Sequence, residues 1–184
     1  MPRGQLLVTG DLNFMNVTDP TTPFQRIAGR LAEADAVFSN MECCLVTGSA
    51  DTHLSEGFYA DPTVGGEALK LGHITGVGIA NNVNYGEAAI SSSVRRLDEV
   101  GVLHTGAGAN LAAATAPVVF ERGGLRYGIL QRSSVYWPTS HEAGPHSAGI
   151  AVLRGHTAYQ VPEYRPRPGL PPMNRPVIPP VIVT

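Results

Sequence analysis

The sequence predicts an α/β fold, in which a mixed, mainly parallel sheet is flanked by helices and followed by an extended proline-rich tail. Four short apolar runs are each followed by a segment with helical periodicity, a pattern typical of parallel strands joined by helices. A later pair of apolar runs flanks a Gly-Gly turn, which predicts an antiparallel hairpin. More than half of the fifteen prolines lie in residues 161–184, and proline both fixes φ and lacks a backbone donor. That segment is therefore expected to be extended.

In the first half of the chain, strands and helices alternate. The predicted strands cover residues 5–9, 36–42 and 74–80. The predicted helices cover residues 24–31 and 64–71. The second helix has Pro62 just inside its start and Gly72 just past its end, which are the positions that these residues favour.

The second half continues the pattern and then departs from it. An amphipathic helix is predicted to open at Gly86 and to end at Gly101. The later predicted elements are a strand at 102–104, an alanine-rich helix reaching residue 116, a hairpin with strands at 117–121 and 125–130, and a strand at 149–153. The hairpin is expected to add an antiparallel edge to the parallel sheet.

The length of the chain predicts one globular domain, which we assign to residues 1–160. Residues 161–184 are then a proline-rich tail or linker. The chain ends on an apolar β-branched run at 181–184 with no terminating signal, and we interpret it as truncated.

Charge and hydropathy argue against several classes of partner. The net charge is -2 and no run of Lys or Arg is present, so nucleic acid is not an expected partner. The sequence contains neither a signal-like apolar stretch at its start nor a run of the roughly 18 to 20 apolar residues that a membrane span needs. A cytoplasmic location is the resulting expectation. The adjacent Cys43 and Cys44 favour reduced structural thiols, with a vicinal pair that binds a soft metal as the alternative.

Polar residues end three of the predicted strands. Asp11 follows the first strand, Glu42 the second, and Asn81 with Asn82 the third. The carboxyl ends of parallel strands face one crevice, so these side chains are expected to meet there. Carboxylates with an amide oxygen suit Mn, Mg, Fe or Zn, and two such ions can activate water against a phosphoryl group. Asp and Asn are also common turn formers at strand ends, so a purely structural role is the alternative.

Several other residues are candidates for the same site or for substrate binding. His104 ends a strand at the same end of the sheet as Asp11 and is an additional candidate ligand, although a hydrogen-bonded structural histidine is the alternative. Arg132, Ser133 and Tyr136 are candidates for binding substrate, with Arg132 pairing a carboxylate. His141, with Glu142 and His146, is expected to lie in an exposed loop cluster.

Motifs in a fixed order give the chain a family resemblance. Residues 10–12, 34–42, 76–82, 86 and 104–110 resemble the ordered motifs of the CapA-like family, which is named for poly-γ-glutamate capsule biosynthesis and has a calcineurin-like metallophosphatase fold. The resemblance implies the N-terminal half of that fold. It also implies that Asp11, Glu42 and Asn82 are metal ligands, with Glu42 bridging two ions.

Two departures from the family pattern affect the function that the resemblance implies. The family commonly has histidine where this chain has Val83, and the histidine motifs of the family's later half are missing. The resemblance therefore implies an incomplete site in a metal-dependent hydrolase or transferase that acts on a phosphoryl or γ-glutamyl group. A catalytically inactive binding or accessory protein is the alternative. An exposed sheet edge would also favour self-association.

Overall fold

A computed structural model describes residues 4–47, 58–155, 158–160 and 175–177. The helices are α1 (Ala28–Ala32), α2 (Pro62–Leu71), α3 (Glu87–Val100) and α4 (Leu111–Thr115). The strands are β1 (Leu6–Leu12), β2 (Ala36–Met41), β3 (Cys44–Leu45), β4 (Tyr59–Ala60), β5 (Gly76–Gly78), β6 (Leu103–Thr105), β7 (Ala107–Gly108), β8 (Val118–Arg122), β9 (Leu125–Ile129), β10 (Gly149–Ile150), β11 (Ala158–Gln160) and β12 (Arg175–Val177).

A four-stranded parallel sheet forms the centre of the fold, with the strand order β1-β2-β5-β6. Since all four strands run in one direction, their carboxyl ends lie along the same edge of the sheet. Met41, Val77 and Ile79 are buried at or near these ends. The predicted α/β fold, with a mainly parallel sheet flanked by helices, is confirmed.

The two longest helices begin and end where the sequence signals place them. Asp61 caps α2 by accepting hydrogen bonds from the backbone N–H groups of Thr63 and Val64. Helix α3 ends at Gly101, whose φ of 73° is a left-handed conformation that glycine adopts without strain. Leu69 of α2 and Leu97 of α3 are completely buried, so both helices contribute their apolar faces to one core.

The predicted hairpin forms, but it does not join the central sheet. Strands β8 and β9 pair with each other as a separate antiparallel sheet. Gly123 and Gly124 both have positive φ, at 58° and 76°, as a tight two-residue hairpin turn requires. The central sheet is therefore purely parallel, and the expectation of an antiparallel edge from this hairpin was wrong.

The first two elements differ from their predicted bounds. Strand β1 runs past Gly10 to Leu12 because a bulge between Val8 and Asp11 keeps it paired with β2. Helix α1 begins only at Ala28, and the residues before it form turns, one of which is closed by Asp19 accepting from the N–H of Thr21.

Two compact units divide the chain, Met1–Val152 and Leu153–Thr184. In the second unit, β11 and β12 form an antiparallel pair. The predicted boundary at residue 160 stays a prediction, because most of the proline-rich segment and the apolar run at 181–184 lie outside the described residues. Within the described ranges, no helix is long and apolar enough to cross a membrane.

Candidate functional site

Asp11 and Asn40 lie side by side at the carboxyl edge of the sheet. They are register partners on β1 and β2, and Asn40 Nδ2 donates a hydrogen bond of 2.7 Å to Asp11 Oδ1. Glu42 follows β2 directly, and its backbone N–H donates to the carbonyl of Leu12 at 2.8 Å. The parallel pairing therefore brings the predicted Asp11 and Glu42 together.

The two carboxyl groups interact with each other. Burial raises the pKa of Glu42, and a hydrogen bond with Asp11 and the charge of Asp11 raise that pKa further. Two neighbouring carboxylates disfavour each other's ionised forms unless a proton or a cation lies between them. The two carboxyl groups therefore lie close enough for the charge of one to affect the ionisation of the other.

A chain of amide hydrogen bonds fixes the orientation of Asn40. The backbone N–H of Ala80 donates to Gln131 Oε1 at 2.7 Å, which leaves Gln131 Nε2 to donate to Asn40 Oδ1 at 2.9 Å. The amide of Asn40 must then present its N–H group to Asp11, so its oxygen is not turned toward the carboxylates. These hydrogen bonds link the backbone just after β5 to the carboxylate of Asp11.

Glycine makes room for the Gln131 side chain. A Cβ atom at Gly78 would collide with the Gln131 amide, and one at Gly106 would lie 3.1 Å from Gln131 Oε1. Gly106 also has a φ of 94°, which disfavours any side chain there. Neither Asn40 nor Gln131 was among the site residues predicted from the sequence. The glycines of β5 and of the turn after β6 were the available signal.

Asn81 is buried and acts as a structural hub. Its Nδ2 donates to the carbonyl of Met41 at 2.8 Å, and its Oδ1 accepts from the N–H groups of Val83 and Asn84, each at 3.1 Å. Its side-chain oxygen is therefore already engaged. Asn82, in contrast, is exposed, and its side chain makes no hydrogen bond to another described residue.

His104 has a partner on a helix. Its Nε2 lies 3.0 Å from Asp98 Oδ1 of α3, and among described residues it has no hydrogen bond or ion pair with Asp11 or Glu42. The structure therefore does not bring His104 together with the carboxylate pair, and its role as a ligand stays a prediction.

His141 is completely buried, so the expectation of an exposed loop cluster at this residue was wrong. The backbone N–H of Trp137 donates to His141 Nδ1 at 2.9 Å, so the ring proton is on Nε2, which donates to the carbonyl of Asn81 at 3.0 Å. Burial lowers the pKa of His141. The imidazole is thus neutral and held by two backbone groups beside the Asn81 turn.

The predicted substrate-binding residues have local partners. The guanidinium of Arg132 donates to the backbone carbonyls of Gln131 and Thr115, at 2.8 and 2.7 Å. The hydroxyl of Ser133 donates to the carbonyl of Val135 at 2.7 Å, and Tyr136 packs against the core. Their predicted role in binding substrate is not tested by these contacts and stays a prediction.

Cys43 and Cys44 are buried and form no disulfide. Burial is the main cause that raises the pKa of Cys43 to about 12 and that of Cys44 to about 11. Thiols that stay protonated at neutral pH are poor metal ligands and poor nucleophiles, so this geometry favours the structural interpretation.

The donor set of Asp11 and Glu42 fits a hard divalent cation. Among the described residues, no group of three or more His, Cys, Asp and Glu side chains is arranged to hold a metal ion. The carboxylates of Asp11 and Glu42 are hard oxygen donors, and a cation bound between them would relieve their mutual repulsion. The exposed amide of Asn82 supplies oxygen chemistry of the same hard type.

Comparison with known proteins gives one family and two relatives. The profile of the family described as "Bacterial capsule synthesis protein PGA_cap" matches residues 4–166. Two relatives from Sinorhizobium fredii strain NGR234, "Uncharacterized protein y4sH" and "Uncharacterized protein y4uA", are each 28% identical to this chain over 138 residues. The matched part covers 71% of this chain and 30% of each relative, so the chain spans less than a third of the length of either.

Proposed function

Because the chain belongs to the bacterial capsule synthesis protein family PGA_cap, we propose that Asp11 and Glu42 bind a divalent metal ion at the carboxyl edge of the sheet. Asn82 is the third proposed ligand. The bound ion would serve hydrolysis or group transfer at a phosphoryl or γ-glutamyl amide group in the synthesis of a capsule polymer. The pairing of β1 with β2, which places Asp11 beside Asn40 and Glu42 beside Leu12 at one edge of the sheet, is the observation that carries this proposal. The pKa of Glu42, which burial and neighbouring Asp11 raise, supports it.

The proposed ion is Mn, Mg, Fe or Zn, and a complete site would hold two. Such an ion supplies Lewis acidity and activates water for attack. Asn40 holds Asp11 in place through the 2.7 Å hydrogen bond to its Oδ1, and Gln131 keeps the Asn40 amide from turning over. These two amides therefore orient one carboxylate toward the crevice before any ligand arrives.

Protonation of the leaving group needs an acid that this edge of the sheet does not supply among its described residues. Val83 occupies the place where the resembled family has histidine, and its side chain is largely buried. The neutral His141 already donates its ring proton to the carbonyl of Asn81. These features favour the second candidate function, a catalytically inactive binding or accessory protein of the same fold.

A phosphodiester hydrolysis assay with Mn²⁺ separates the two candidates. If the chain is an enzyme, wild-type protein should hydrolyse bis(p-nitrophenyl) phosphate, and Asp11→Asn and Glu42→Gln should each lower the rate at least about 100-fold. Glu67→Gln, which changes an exposed carboxylate on α2, is the matched control and should keep the wild-type rate. Binding of Mn²⁺ without any turnover would reject the proposed enzymatic activity and favour a binding or accessory protein.

Self-association through the outer edge of β1 belongs to the same proposal. Within the described ranges β1 pairs only with β2, and Val8 on it is 71% exposed. An unpaired edge strand without Lys or Pro is a template for pairing with a second strand. Sedimentation velocity should show a dimer that Val8→Lys shifts to monomer, and equal sedimentation of the two proteins would reject this contact.

A further inference from the structure

Two side chains hold consecutive carbonyl groups in the turn that carries Asn82. His141 Nε2 donates to the carbonyl of Asn81 at 3.0 Å, and Trp137 Nε1 donates to the carbonyl of Asn82 at 3.1 Å. Both donors come from a segment more than fifty residues further along the chain. The turn is therefore fixed from outside as well as by its own residues.

The two donors are also fixed relative to each other. The backbone N–H of Trp137 donates to His141 Nδ1, which sets the tautomer that lets Nε2 donate. The ring of Tyr85 packs edge-on against both, with centroid distances of 6.5 Å to Trp137 and 5.6 Å to His141. His141 is buried, whereas Trp137 is 53% exposed.

From the inside, the side chain of Asn81 completes the turn. Its Oδ1 accepts from the N–H groups of Val83 and Asn84. Four consecutive residues, 81–84, thus each have a backbone group held by a side chain. The direction in which the backbone projects the Asn82 side chain is fixed, while that side chain itself is exposed and makes no hydrogen bond to a described residue.

We propose that Trp137 is a positioning residue, which acts through its hydrogen bond to the Asn82 carbonyl to aim the Asn82 amide at the metal site. This inference rests on the proposed function, because Asn82 is a ligand only if that site binds a metal. Trp137 is 53% exposed and its indole N–H donates to the backbone of the Asn82 turn, so this side chain restrains the turn as well as packing on Tyr85.

The test replaces Trp137 with phenylalanine, which keeps an aromatic ring and removes the indole N–H. We expect Trp137→Phe to weaken Mn²⁺ binding, measured by calorimetry, about tenfold, as loss of a residue that orients a ligand does. The midpoint of thermal unfolding should fall by no more than about 4 °C, because one exposed hydrogen bond is lost. Val135→Ala removes an exposed apolar side chain from the same segment and should leave the affinity unchanged. Equal affinity of Trp137→Phe and wild-type protein would overturn the proposal.

A metal-free measurement keeps this inference separate from the proposed function. If wild-type protein does not bind Mn²⁺, the metal site is rejected, and the positioning role is then decided by ¹⁵N NMR of the metal-free chain. Shifted side-chain amide signals of Asn82 in Trp137→Phe, with unshifted signals in Val135→Ala, would show that Trp137 sets the direction of this amide. Unshifted Asn82 signals in both variants would overturn the role. Where wild-type protein does bind Mn²⁺, the affinity decides.

Discussion

Replacing Gln131 with glutamate should disrupt the chain of amides that ends on Asp11. The new side chain has nearly the same size and can still accept from the N–H of Ala80, but it cannot donate to Asn40 Oδ1, 2.9 Å away. Two oxygens would face each other there. If the Asn40 amide turned over to avoid this, its oxygen would face Asp11 instead. Asn40 Oδ1 would keep the hydrogen bond that Asn81 Nδ2 donates to it at 3.3 Å. The expected cost is therefore that of one half-buried hydrogen bond and of two oxygens in contact, so the free energy of unfolding should fall by about 1–2 kcal/mol.

Thermal denaturation followed by circular dichroism measures this loss. For a chain of this length each kcal/mol lowers the midpoint by about 2–4 °C, so a decrease of about 2–8 °C is expected at pH 7. At acidic pH the introduced carboxyl becomes protonated and can donate to Asn40, so the decrease in the midpoint should become smaller. Gln25→Glu, which changes an exposed glutamine, is the control. A midpoint equal to that of the control at pH 7, or a deficit that does not change with pH, would refute the amide chain.

Three further predictions concern stability and reactivity. Asn81→Ala should lower the free energy of unfolding by about 3–5 kcal/mol in urea denaturation, because two buried backbone N–H groups lose their acceptor, while the carbonyl of Met41 keeps a hydrogen bond from Asn84. Asn82→Ala should change it by less than about 0.5 kcal/mol, and similar losses for the two variants would contradict this. The pKa of Glu42 is raised, so the native state holds this proton more tightly than the unfolded chain does, and the free energy of unfolding without metal should fall as the pH rises above 4.5. Glu42→Gln should remove that part of the pH dependence. An unchanged dependence on pH in this variant would reject the prediction. Cys43 and Cys44 should react with Ellman's reagent at pH 8 at least about 100-fold more slowly in the native than in the denatured protein, because burial keeps both thiols protonated. Fast labelling of the native protein would contradict the burial of these two thiols.

The main elements of the fold were predictable from local signals. Strand-like runs at β1, β2 and β5 and the capping signals Asp61-Pro62 and Gly101 all have short-range causes, and the structure bears them out. The separate hairpin sheet was not predictable. Its pattern specifies a tight turn, but which strand lies beside it is decided by tertiary packing, and no local signal records that.

The candidate site was predictable only in part. Asp11 and Glu42 could be placed together because strand direction alone brings the ends of β1 and β2 to one edge. Gln131 and His141 reach this edge from 91 and 60 residues along the chain from their partners. No sequence spacing encodes such contacts. Burial also reversed the expectation for His141, because a histidine in a polar stretch looks exposed until its partners are known.

Calorimetric titration of Mn²⁺ into the metal-free protein tests the central claim most directly, since it measures whether Asp11 and Glu42 act together as a cation site. We expect saturable binding by wild-type protein, unchanged in the Glu67→Gln control and weakened at least about tenfold in both Asp11→Asn and Glu42→Gln. No binding by wild-type protein, or binding that survives both substitutions, would contradict the claim.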